Sequence, residues 1–132
     1  MSGRYWLTPE GIYQRLNDEF RFDFDPCPYP KPEGYNSLNI KWGKSNYVNP
    51  PFRKTEGNTD GPTAFVRKAI AEQQAGATSV LTLPIPSYVN LMLDAGAEVR
   101  SLGRVRWLEV DTKEPWKAPV PIACFILRGI NT

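Results

Sequence analysis

The spacing of apolar positions changes several times along this chain, and each change predicts an element. Ile12, Leu16 and Phe20 recur at every fourth position, the stripe of a helix that buries one face. Thr8-Pro9-Glu10 reads as its start, with Thr8 as N-cap and Pro9 in the first helical position. The alternation Phe20-Arg21-Phe22-Asp23-Phe24-Asp25 then reads as a strand stopped by Pro26. Residues 26–44 are rich in Pro, Gly, Asn and Lys and read as a loop long enough to imply function. A short strand follows at 46–49, then a second polar loop at 53–61. Asp60, Pro62 and Thr63 open a helix that keeps Phe65, Val66, Ala69 and Ile70 apolar, with Gly76 as its C-terminal cap. The run 79–84 is a buried strand, 87–93 a short helix ended near Gly96, and 98–102, 105–110 and 122–127 are strands. Helices alternating with strands predict a single α/β domain over residues 1–132, with helices packed on a mostly parallel sheet. In such sheets ligands sit at the carboxyl ends of strands, which is where Asp25 and Asn49 fall.

Composition narrows the chemistry. Hydrophobic content of 41% in 132 residues supports one buried core, and the thirteen prolines are dispersed among apolar runs, as structured turns are. No apolar run reaches membrane-spanning length, and Met-Ser-Gly-Arg-Tyr-Trp lacks the apolar core of a signal peptide. Cys27 and Cys124 are far apart and read as reduced thiols. The net charge of +2 is only a weak pointer to a polyanionic partner. Histidine is absent, which excludes Ser-His-Asp and Cys-His catalysis and the common His-containing zinc sites, so no metal is expected.

Four places could carry chemistry. In Asn49-Pro50-Pro51-Phe52, two prolines fix φ and hold Asn49 extended at a strand end, and an aromatic ring follows. A polar clamp beside a stacking ring suits a flat, amino-bearing ring; the bland alternative is a proline turn. Asp25-Pro26-Cys27 ends a strand on a carboxylate that can bind a ligand amine or hydroxyl, or can simply close an Asx turn. Thr8 and Pro9 stand at a helix N-terminus, whose free N–H groups suit a carboxylate or serve only as a cap. Arg104, Arg106 and Trp107 could hold phosphate and stack a base, or form a solvated edge strand.

Taken in order, Trp-x-Thr-Pro (6–9), Asp-Pro-Cys (25–27), Asn-Ser-Leu-x-x-x-Trp (36–42), Tyr-Val-Asn-Pro-Pro-Phe (47–52), Leu-Pro (83–84), Gly-Arg-Val-Arg-Trp (103–107) and Ala-Pro (118–119) resemble the phage-type DNA N6-adenine methyltransferase (Dam) family over nearly the whole chain. The resemblance implies a compact Rossmann-like methyltransferase fold, S-adenosylmethionine as cofactor and DNA as partner. It also implies a phage- or prophage-encoded protein in the cytoplasm of a bacterial host. It implies that the base is rotated out of the stack. Asn49 and the Pro50 carbonyl would accept the two N6 hydrogens, with Pro51 shaping the turn and Phe52 stacking on the adenine. Thr8, Pro9, Asp25, Pro26 and Cys27 would hold the cofactor. Arg53, Lys54, Arg104 and Arg106 would hold the DNA.

The chain departs from the family where a glycine-rich turn is expected after the acidic residue; Pro28-Tyr29-Pro30-Lys31-Pro32 stands there instead, and Asn36 replaces an aspartate. The residues therefore leave other readings open: a non-catalytic module that binds nucleic acid or cofactor, methylation of cytosine N4 or of a protein glutamine, or a structural phage protein.

Overall fold

A computed structural model describes residues 6–28, 33–50, 61–102, 106–109, 115–117 and 121–130. Its order is β1 (Trp6–Leu7), α1 (Glu10–Phe20), a 3-10 turn (Ser37–Asn39), β2 (Ser45–Val48), α2 (Pro62–Gln74), β3 (Thr78–Pro84), α3 (Ile85–Asp94), β4 (Glu98–Ser101), β5 (Arg106–Glu109), β6 (Pro115–Lys117) and β7 (Ile122–Leu127). The main sheet has the order β2-β3-β7-β4, and β1-β5-β6 form a separate three-stranded sheet.

The expected α/β class holds, but the mostly parallel sheet does not. Only β2 and β3 pair in parallel; β7 runs antiparallel to both β3 and β4. The cause lies in the connections. A parallel neighbour needs a crossover, usually a helix, and α2 supplies one between β2 and β3. Between β4 and β7 the described elements are β5 and β6, an antiparallel pair with no helix, so the chain returns reversed. Because β7 opposes both of its neighbours, β2, β3 and β4 all point the same way, and their carboxyl ends lie along one edge.

The two faces of the sheet bury different elements. Val48, Leu81, Leu83, Ala123, Phe125 and Leu127 pack with Phe65, Val66 and Ala69 of α2 and Met92 of α3. Tyr47, Val80, Cys124 and Ile126, alternating with those, pack with Leu16 of α1 and the partly buried Ile12, Tyr13 and Phe20. The predicted stripe of α1 is thus the face it buries. Both later helices end on glycines with positive φ, Gly76 (98°) and Gly96 (82°). In each, the following alanine N–H returns to the carbonyl of Glu72 or Met92, as a Schellman closure requires.

Two local expectations need correction. The strand foreseen over residues 20–25 is instead the last turn of α1, a left-handed Arg21 (φ 52°) and an extended segment that makes an isolated parallel bridge to β2, Phe24 opposite Asn46. A regular strand would put Phe22 and Phe24 on one face. Here Phe22 joins the α1 cluster and Phe24 the α2 cluster, and the Asn17 side chain takes the Phe22 N–H at 2.9 Å. Thr8 also does not cap α1. Pro9 occupies the N-cap position with no side-chain cap, and the Thr8 hydroxyl bonds elsewhere.

Candidate active site

Asn49 follows the last residue of β2, where the register sets it beside Thr82 of β3, with Cys124 and Arg100 beyond. It is 7% exposed, and Pro50 behind it is buried. The Thr82 hydroxyl donates to Asn49 Oδ1 at 3.2 Å. A carbonyl oxygen has two lone pairs, and this bond uses one of them.

Asp25 stands at the same edge. Hydrogen bonds from Asp23 N–H to the Ser45 carbonyl (2.8 Å) and from Tyr47 N–H to the Phe24 carbonyl (3.1 Å) run residues 23–25 alongside β2 in its own direction. Asp25 Oδ1 accepts the Cys27 N–H at 2.8 Å. The Asx turn weighed against function is therefore present, and it occupies one of the two carboxylate oxygens. Asp25 is open to solvent at the sheet edge, yet protein packed behind it pushes its carboxyl above the usual range; the Cys27 N–H offsets part of that rise. Its negative charge in turn contributes to raising the phenols of Tyr13 and Tyr35, for which burial is the larger cause. The surroundings of Asp25 are thus aromatic and acidic.

Tyr47 joins the two residues. Its hydroxyl is hydrogen-bonded to that of Thr8, and Thr82 also stands near enough to favour its ionised form. Burial outweighs both and pushes Tyr47 far up, so it stays a neutral phenol. Thr8 reaches the site through its hydroxyl, and Pro9 through its place at the start of α1.

Pro26 and Cys27 are buried beside Asp25, and a neighbouring motif explains how. Ser37 Oγ donates to the Pro26 carbonyl at 2.7 Å, and Trp42 Nε1 donates to the Ser37 carbonyl at 2.9 Å. The Trp42 N–H is held by the Glu72 carboxylate on α2, and Asn36 caps the 3-10 turn through the Leu38 N–H. The Asn-Ser-Leu-x-x-x-Trp motif therefore clamps the Asp-Pro-Cys turn to α2. Burial raises the Cys27 thiol well above its ordinary value, with Asp25 adding to the effect, which makes it inert rather than a nucleophile.

Pro51, Phe52, Arg53, Lys54 and Arg104 lie outside the described residues. Arg106 lies on β5, opposite Lys117 of β6. Tyr13, Tyr47 and Thr82 were not foreseen as site residues. Thr82 had a legible signal, a single polar residue in the apolar run Val80-Leu81-Thr82-Leu83. Tyr47 carries no signal beyond its place in the strand and in the Tyr-Val-Asn-Pro-Pro-Phe run.

Comparison with family models, with curated proteins and with solved structures found no match to this chain. Among the described residues no cluster of His, Cys, Asp and Glu could hold a metal ion, and no helix is long and apolar enough to cross a membrane.

Proposed function

We propose that this chain is an S-adenosylmethionine-dependent DNA methyltransferase acting on the N6 amine of adenine. One observation carries the reading: Asp25 and Asn49 end neighbouring, co-directional segments at one edge of the sheet, and Thr82 holds the Asn49 carbonyl oxygen. The same reading takes the domain as a compact Rossmann-like layer, supported by three co-directional strands with helices on both faces.

The donor set around Asp25 fits the cofactor. A carboxylate among tyrosines suits a ligand bearing an ammonium and a sulfonium, since aromatic faces and a negative charge both attract cations. Asp25 would hold the ammonium, with Thr8 and the start of α1 near the carboxylate. When bound, the cofactor supplies an electrophilic methyl group.

The chain's own residues prepare the acceptor. The adenine amine is conjugated with its ring and a poor nucleophile. Asn49 Oδ1 and the Pro50 carbonyl would each accept one N6 hydrogen and turn the nitrogen lone pair out of the ring plane. The methyl group would leave the sulfonium as a neutral thioether remains, and one of the two N6 hydrogens would depart as a proton to water, since neither carbonyl oxygen is a base. Positioning and fixed dipoles supply this catalysis, so a chain without histidine suffices. Phosphate contacts would come from Arg53, Lys54, Arg104 and Arg106.

The test is transfer from labelled S-adenosylmethionine to unmethylated DNA, followed by digestion to nucleosides. Label is expected in N6-methyladenosine, and its loss in Asn49→Ala. Label confined to protein or to N4-methylcytosine would reassign the acceptor. Cofactor binding without transfer would favour a non-catalytic module, a reading the Asx turn at Asp25 supports.

A further inference from the structure

We propose that Thr82 is the positioning residue for Asn49, its hydroxyl holding the side-chain amide so that the carbonyl oxygen, rather than the amide nitrogen, is presented to an amine-bearing base. The inference rests on the methyl-transfer reading and specifies the acceptor chemistry of that site. Thr82 is fully buried in the middle of β3, where a hydroxyl is costly unless it is bonded. It has one hydrogen to give, and Asn49 Oδ1, at 3.2 Å, can only accept. With Thr82 as donor, the bond holds the oxygen end of an otherwise near-symmetric amide toward β3. Were the amide reversed, its NH₂ group would take the place of Oδ1 and repel the N–H donors of an amine.

A polar row continues beyond Thr82. Its hydroxyl also stands beside the buried phenol of Tyr47, which burial keeps neutral. The Tyr47 oxygen is in turn bonded to the Thr8 hydroxyl at the start of α1. Thr8, Tyr47, Thr82 and Asn49 thus form one connected row of polar side chains. The cofactor side and the acceptor side of the proposed site are joined by this row. Nothing in the apolar packing of β3 calls for a threonine here, since its neighbours Leu81 and Leu83 meet α2 and α3 on the opposite face.

Thr82→Val removes the hydroxyl at constant shape, and Thr82→Ser keeps it. Two readouts decide the matter: the side-chain amide resonances of Asn49 in ¹⁵N-asparagine-labelled protein, and methyl transfer from S-adenosylmethionine to unmethylated DNA. Thr82→Val should displace or split the Asn49 amide signals and lower kcat about tenfold, the worth of one lost hydrogen bond. Cofactor affinity measured by calorimetry should stay unchanged, and Thr82→Ser should restore both readouts. Wild-type kcat and an unmoved Asn49 signal in Thr82→Val would overturn the inference, as would equal losses in Val and Ser, which would mean a packing role. Wild-type protein that transfers no methyl group overturns the parent reading instead, and the amide resonances then decide alone whether Thr82 orients Asn49.

Discussion

The two faces of the main sheet are built from the same strands and solve different problems. Toward α2 and α3, β3 and β7 present Leu81, Leu83, Ala123, Phe125 and Leu127, all fully buried, while the buried polar pair Asn46 and Ser79 sits at the amino ends of β2 and β3. Toward α1, the alternate positions carry Tyr47, Thr82 and Asn49 beside Val80, Cys124 and Ile126, and polar groups are buried in hydrogen-bonded sequence. Surface area explains the first face, since each large side chain there gains free energy by leaving water. It does not explain the second, where hydroxyls and an amide occupy positions that aliphatic residues would fill more cheaply. At the carboxyl ends of β2 and β3 that departure from apolar patterning marks the candidate site.

The largest test contrasts neighbours on β7. Phe125→Ala opens a void under α2 and should cost about 3–5 kcal/mol in urea unfolding. Cys124→Ala removes one sulfur from the α1 face and should cost about 1 kcal/mol. Equal losses would erase the distinction between a closed layer and a looser one. Next in size is Gly129→Ala, just beyond β7. A Cβ there would lie 2.0 Å from the Gly76 carbonyl oxygen, backbone that closes α2 and cannot swing aside. The expected loss is about 1–3 kcal/mol, as for overpacking. An unchanged urea midpoint would mean that this end of the α2 layer yields more easily than its contacts imply.

The α2 face was the more legible of the two. Phe65, Val66 and Ala69 announced α2, and the apolar run of β7 matched its observed bounds, because burial on one face writes itself into local period. Strand direction was not legible. Nothing in residues 98–127 states locally that β7 enters between β3 and β4 or that it runs against them; among the described residues, β5 and β6 rather than a helix connect β4 to β7. The alternation of Phe20, Phe22 and Phe24 misled for a related reason: three aromatics at period two satisfy either a strand or a chain that crosses from one core to the other. At the site, Asn49 and Asp25 were readable from their prolines, whereas Thr82 and Tyr47 became site residues only through the pairing of β2 with β3.

Asp25 gives the smallest effect on stability and separates the roles of the two faces most directly. Protein packed behind it holds its carboxyl above the ordinary value of 3.8, so the charged form is the one the fold disfavours. Below the unfolded value both states keep the proton. Between the unfolded and the raised folded values the folded state binds more protons, so stability falls as pH rises through that window, and the deficit remains at neutral pH. Asp25→Asn removes the charge and keeps an oxygen for the Cys27 N–H. At neutral pH it should therefore melt slightly higher than wild type, and the gain should vanish in acid below the unfolded carboxylate range. The same variant should lose S-adenosylmethionine binding by calorimetry. A residue whose removal stabilises the fold while abolishing a ligand is kept for the ligand. If Asp25→Asn instead melts lower with cofactor affinity intact, the carboxylate belongs to the turn, and the α1 face loses its anionic half.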